Sequence, residues 1–197
     1  GQDSEAGVAP SGARPVAQVS SLPVRTLIRL VNVPSNNFAA EMLLKGLGAR
    51  LGGAGSTGGG AAVVRSTLDD FGVRPRIADG SGLSRANLTT PRQVVRLLER
   101  MDGQDVGTSF RSSLATAGRT GTLRRRMRAT PASGRCRGKT GTLRGVSALA
   151  GYCRTRGGRD VAFAILMNAV NPFGARGVQD RMAAAIARLD ADAGSPP

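Results

Sequence analysis

The chain has 197 residues, 40% apolar but only 3% aromatic, so one domain with a core of Leu, Val, Ala and Met is expected, with or without appendages. Its net charge of +15 is almost all arginine, Lys45 and Lys139 being the only lysines; no helix-turn-helix spacing, zinc spacing or basic stripe interleaved with aromatics accompanies that charge, so nucleic acid is not expected as a partner. The lack of any histidine excludes a Ser-His-Asp triad and most zinc sites, and no run of about 18 apolar residues offers a membrane span.

The charge itself reads as a solvated, arginine-rich surface, with an anionic envelope surface as a second possible partner. There is no signal peptide and the first residue is Gly1, which suggests a mature chain or an excised piece.

Residues 1–20, rich in Gly, Ala, Ser and Pro, read as a linker or tail. A helix is expected from Leu22, with Pro23 in its first turn and Val24, Leu27, Ile28 and Val31 at helical spacing; Pro34 ends it. Ser35 is placed like the N-cap of the next helix, whose apolar face is Phe38, Met42, Leu43 and Leu47. The glycine-rich stretch Gly46–Gly60 reads as a flexible connection without the lysine of a phosphate loop. A helix over Ala61–Phe71 follows, burying Val63, Val64, Leu68 and Phe71.

Asp79–Leu88 is a turn-rich segment. Thr90 and Gln93 are spaced as a capping box, with Pro91 between them, and open a helix that buries Val94, Val95, Leu97, Leu98 and Met101. Residues 103–135 read mostly as loop, with a short helical piece over Phe110–Leu114 and a solvated basic run over Arg124–Arg128.

Three strands are expected next. The first carries Lys139-Thr140-Gly141-Thr142, and Val146–Cys153 pairs back against it across a tight turn near Leu143–Gly145. Val161–Met167, nearly all apolar, reads as a central strand covered on both faces. A closing helix over Ala175–Leu189 directs Val178, Met182, Ile186 and Leu189 inward, and a tail of 191–197 ends the chain. The expected fold class is α/β, in α+β layers, with helices packed on an antiparallel sheet.

The Lys-Thr-Gly has a near copy upstream, Arg119-Thr120-Gly121-Thr122-Leu123 against Lys139-Thr140-Gly141-Thr142-Leu143. Apolar alternation follows only the second, which is therefore the candidate site. A strand edge there can take an extended peptide as one more strand, with Lys139 and Thr140 meeting a carboxylate and Gly141 admitting a close backbone. Upstream, Ser35-Asn36-Asn37 either just starts a helix or places the Ser35 hydroxyl and Asn37 amide on the same cleft.

Four stretches occur in the order of a known family. They are Ser35-Asn36-Asn37 with Ala40-Glu41; Asp79-Gly80-Ser81-Gly82-Leu83-Ser84-Arg85 with Asn87; Ala117-Gly118-x-x-Gly121-Thr122-Leu123; and Lys139-Thr140-Gly141-Thr142-Leu143 with Gly145-Val146 and Leu149-Ala150-Gly151. Together they resemble the D-alanyl-D-alanine carboxypeptidase/endopeptidases, the class C low-molecular-mass penicillin-binding proteins, whose S-x-N and K-T-G motifs these match. The resemblance implies that residues 21–190 form part of a penicillin-binding, β-lactamase-like domain. It also implies an extracytoplasmic location, no cofactor or metal, and peptidoglycan peptides ending in D-Ala-D-Ala and β-lactams as ligands.

Carried over residue by residue, Ser35 passes a proton, Asn37 binds a peptide amide, and Lys139, Thr140 and Thr142 take the terminal carboxylate. The family's nucleophilic S-x-x-K is missing, since Lys45 follows Met42 by three residues and Lys139 follows Cys136. The chain therefore reads as the C-terminal part of such an enzyme, inactive alone. The alternatives are a peptidoglycan-peptide binding module that has lost catalysis and, last, a basic nucleic-acid binder.

A hairpin turn centred between Arg144 and Gly145 puts Cys136 opposite Cys153, which makes them a disulfide candidate; the alternative is two buried thiols.

Overall fold

The computed structural model describes residue 7 and residues 10–190. The expected tail at 191–197 lies outside the described residues. Residues 13–23 carry no helix or strand.

Helix α1 spans Val24–Asn32 and α2 spans Asn37–Leu51. The cap of α2 is Asn36 rather than Ser35: Asn36 Oδ1 accepts the Ala39 N–H at 3.0 Å. Ser35 is left-handed instead, with φ 62°, while Asn36 N donates back to Val31 O at 2.9 Å and closes the end of α1. Ser35 is thus the hinge of a tight corner between two helices.

The glycine-rich stretch is not a loose connection. Helix α2 continues through Gly46 and Gly48, and α3 (Thr57–Asp70), capped by Ser56, already includes Gly58, Gly59 and Gly60. The reason is contact between helix backbones. A Cβ at Gly60 would lie 2.0 Å from Leu44 O, and one at Gly48 would lie 2.4 Å from Ala54 O. Close helix approach needs these glycines despite their poor helix propensity.

Helix α4 (Pro91–Asp102) begins with the expected capping box, Thr90 and Gln93 bonding reciprocally. Leu98 is fully buried; Val94, Val95, Leu97 and Met101 are half-buried. Helix α5 (Gly107–Ser113) starts three residues earlier than expected.

Strand β1 (Ala115–Thr116) went unforeseen, being too short to show a period. Strands β2 (Cys136–Leu143), β3 (Val146–Arg154) and β4 (Asp160–Asn168) form the expected antiparallel meander, and the sheet order is β1-β2-β3-β4. In this sheet β4 pairs with β3 alone, so among the described residues it is an edge strand rather than a central one. Its continuous apolarity reflects α4 and α6 packing on it, not two strand neighbours.

Helix α6 (Pro172–Arg188) buries Ala175, Gln179, Ala183, Ala184 and Ala187. The expected inward set is corrected: Met182 and Leu189 are exposed, and Val178 and Ile186 are half-buried. Alanines at four-residue spacing let the helix axis come close to the sheet, where the sulfurs of Cys136 and Cys153 lie 3.9 and 4.0 Å from Ala183 O. Gln179 is the one large side chain fully buried on that face, where its amide donates to Ser147 Oγ at 3.0 Å.

The register pairs Cys136 with Cys153, and the two are joined as a disulfide beneath α6. The main core gathers Leu123, Met127, Leu149, Phe163 and Ile165 around this bridge, with alanines filling the rest. No helix among the described residues is long and apolar enough to cross a membrane.

Candidate active site

The left-handed backbone at Ser35 costs about 1–2 kcal/mol for a residue with a Cβ. What it gains is direction: the side chain is aimed across the corner at strand β2. Lys139 Nζ donates to Ser35 Oγ at 2.6 Å and to Thr140 O at 2.7 Å. Residues 104 apart in sequence thus meet. Lys139 is half-buried and has no carboxylate partner among the described residues; burial alone pushes its ammonium below the ordinary lysine range.

Asn37, the first residue of α2, lines the same cleft, as do Thr140, Gly141 and Thr142. The hydroxyls of Thr140 and Thr122 are hydrogen-bonded at 2.9 Å, and Arg176 Nη2 on α6 donates to Thr142 Oγ1 at 3.4 Å. A Cβ at Gly141 would lie 3.3 Å from the Ala148 Cβ on the facing strand, so glycine also eases the sheet's own packing there. All the sequence-predicted site residues except the two cysteines therefore lie on one cleft.

Strand β1 covers β2 only at Arg137 and Gly138. From Lys139 to Leu143 the edge of β2 away from β3 has no strand partner among the described residues. This open stretch coincides with the Lys-Thr-Gly residues and offers backbone groups to an extended ligand.

The Asp79–Asn87 segment builds the opposite wall. Asp79 accepts from Gly82 N, Ser84 N, Ser81 Oγ and Asn87 Nδ2 at 2.7–2.9 Å, and Glu41 accepts from Gly80 N, Ser81 N and Thr57 Oγ1. Arg85 Nη2 then donates to Arg144 O at 2.6 Å, tying this wall to the β2–β3 turn. Burial would raise the Asp79 carboxyl, but the bonds from Asn87, Ser84, Ser81 and Gly82 outweigh it and hold it below the usual range. The Thr57 hydroxyl and the Gly80 N–H do the same for Glu41.

A carboxyl lowered on folding stabilises above its unfolded pKa, and that stability is lost as pH falls through the folded value. Thermal melts should therefore show stability declining from about pH 4 downward. Asp79→Asn, whose amide nitrogen would face the Ser81 and Ser84 donors, should cost about 1–2 kcal/mol at neutral pH and progressively less in acid. An equal cost at pH 7 and pH 3 would count against this account.

The cleft encloses about 1070 Å³. Its lining includes Arg85, Arg125, Arg126, Arg176 and Lys139, and no described Asp or Glu. Arg126 is neutralised by Asp180, 2.7 Å away, and also bonds Gln179 on α6. The basic run is therefore not simply solvated: Arg126 is half-buried and Met127 is 5% exposed, because this segment docks against α6. Reading the sequence missed Thr122, Arg126 and Arg176 as cleft residues. The near repeat of Thr-Gly-Thr and the family stretch Ala117–Leu123 were the signals for Thr122; nothing local marks the two arginines.

A profile of the D-Ala-D-Ala carboxypeptidase 3 (S13) family matches residues 4–189. The chain belongs to that family. It is 40% identical over 161 residues to a D-alanyl-D-alanine carboxypeptidase of an Actinomadura species, covering 78% of this chain and 30% of the relative. It is 32% identical over 189 residues to carboxypeptidase DacB of Mycolicibacterium smegmatis, covering 90% of this chain and 41% of that protein. The chain thus spans roughly a third of the length of these curated relatives.

Among solved structures, penicillin binding protein 4 of Haemophilus influenzae in complex with a β-lactam superposes with a TM-score of 0.78 at 25% identity, over 85% of this chain and 42% of that one. A β-lactamase from Chitinophaga pinensis shares the fold, with a TM-score of 0.61 at 20% identity over 82% and 63% of the two chains. The family resemblance and the helices-on-sheet fold expected from sequence are both borne out.

Proposed function

We propose that this chain forms one side of the active site of a serine-type D-Ala-D-Ala carboxypeptidase/endopeptidase acting on peptidoglycan peptides. Residues 21–190 are then the part of the penicillin-binding domain that supplies the S-x-N and K-T-G groups. The nucleophilic serine and its lysine, the S-x-x-K pair, come from a segment outside this sequence. The observation that carries the reading is the 2.6 Å contact of Lys139 Nζ with Ser35 Oγ in an acid-free cleft beside an open strand edge.

In the complete site a serine oxygen attacks the peptide carbonyl between the two D-alanines, and the carbonyl carbon becomes bonded to that serine. The C–N bond breaks, and D-alanine leaves after its nitrogen takes a proton through Ser35. Lys139 keeps the Ser35 hydroxyl oriented toward that nitrogen. Thr140, Thr142 and the ammonium hold the terminal carboxylate, Asn37 holds a peptide amide, and the Thr142 N–H contributes to the oxyanion hole. Water then releases the acyl group. The disulfide suits an oxidising, extracytoplasmic compartment.

Intact mass after incubation with a reactive penicillin tests the proposal, on this chain and on a longer polypeptide carrying an upstream S-x-x-K. No adduct on the first and one adduct on the second is expected. An adduct on this chain alone would make one of its own serines, with Ser35 the first candidate, the nucleophile and would reverse these roles. No adduct on either would favour a peptide-binding module without catalysis.

A further inference from the structure

The mechanism above leaves the segment Arg119–Leu123 unused, although its letters nearly repeat Lys139–Leu143. In the fold it sits between the two halves of the site. Thr122 N donates to Val33 O at 3.2 Å, two residues before Ser35. Gly121, at φ 52°, lies so near the same carbonyl that a Cβ would be 2.1 Å from Val33 O. On the other side, the Thr122 and Thr140 hydroxyls are 2.9 Å apart. Leu123 is 1% exposed and fixes the segment in the main core. One short stretch therefore grips the Ser35 corner by its backbone and the Lys-Thr-Gly strand by a hydroxyl.

We infer that Thr122 is a positioning residue that lets the Thr140 hydroxyl donate to a substrate carboxylate; this rests on the carboxylate-binding reading proposed above. A hydroxyl has one proton and two lone pairs. In the structure the two hydroxyls are 2.9 Å apart, so one donates to the other, and a bond donated by Thr140 keeps its proton within the protein. A carboxylate only accepts. To bind it, Thr140 turns its proton to the ligand, and the contact with Thr122 persists only if Thr122 then donates in turn. The result is a series in which Thr122 donates to Thr140 and Thr140 to the carboxylate, each hydroxyl polarising the next. No covalent bond is made or broken; only the two hydroxyl rotors are set. Threonine or serine at position 122 can do this, whereas a side chain without a hydroxyl leaves Thr140 with one bond fewer.

The test compares affinities of the chain for an N-acylated D-Ala-D-Ala peptide and for the same peptide ending in an amide, which offers no anionic acceptor. Thr122→Val should lower the carboxylate-to-amide affinity ratio about three- to tenfold, the worth of one hydrogen bond, and Thr122→Ser should preserve it. General loosening of the segment would weaken both ligands alike and leave the ratio unmoved. Thr122 is exposed and valine has nearly its shape, so the fold should persist; if the valine variant melts early, Thr122→Ala reads the same ratio. An unchanged ratio in a folded variant lacking the hydroxyl overturns the role of Thr122. A wild-type chain that does not distinguish the two ligands overturns the carboxylate reading itself, and the role of Thr122 with it.

Discussion

Lys139→Met is expected to remove recognition of a carboxylate-terminated peptide while leaving the fold intact. The ammonium lines the candidate cleft, hydrogen-bonded to Ser35 Oγ and Thr140 O, with no described acidic side chain there to replace it. Losing a desolvated charge from such a contact costs about 2–5 kcal/mol, or roughly a thirtyfold loss of affinity at the least. The same burial makes the charge a burden on the folded protein, because its solvation is not repaid by an acid. Methionine, of similar length, should therefore hold the melting temperature or raise it.

The pH dependence has a definite sign. Burial lowers the folded pKa of Lys139 below its ordinary value of 10.5. Between those two values the unfolded chain binds more protons, so wild-type stability gains from this group as pH rises through that window. The methionine variant should lack that gain. Calorimetric titration with the peptide, and melts across alkaline pH, measure both effects. Undiminished affinity in the variant would remove Lys139 from the site.

The second large effect concerns the bridge beneath α6. Replacing Cys136 and Cys153 by alanine should lower stability by about 3 kcal/mol, since the bridge closes a loop of roughly 15 residues in the unfolded chain. The sequence separation is 17. For a chain of this size the melting point should fall by roughly 6–12 °C. Cys136 is three residues before Lys139 on the same strand, so peptide affinity should fall as well, as that strand loses its clamp. An intact mass matching two free thiols under non-reducing conditions would defeat this prediction before any variant is made.

The sequence shows some of these features because they are local. The capping box at Thr90 and Gln93 needs only four residues, and α4 begins where it says. The meander is legible from apolar alternation, and the turn between Leu143 and Val146 then fixes every pair from Cys136 with Cys153 onward. The order of helices and strands marked the fold class, and the four family stretches marked the family, without any contact being known.

Other features depended on distance in space. Glycine after glycine in 46–60 looks flexible by propensity, yet Gly48 and Gly60 are helical because two helix backbones touch there. The inward face of α6 followed close approach to the sheet and one buried hydrogen bond rather than hydrophobicity, so Ala175, Ala183, Ala187 and Gln179, bonded to Ser147, are buried where Met182 and Leu189 were expected. The end position of β4 could not be read from its composition, since burial by helices and burial by strands leave the same apolar run.

By itself, then, the sequence singled out the candidate residues for the proposed chemistry: a serine and an asparagine at a helix corner, a Lys-Thr-Gly on a strand, and no histidine to serve instead. Only the tertiary structure decided that Ser35 is left-handed and not a cap, that it meets Lys139 across 104 residues, and that Thr122 and Arg176 stand beside Thr140 and Thr142. The physical reason is range. Caps, turns and strand periods are set by neighbours within a few residues, whereas the approach of an ammonium to a hydroxyl is set by how α1, α2 and the sheet pack together.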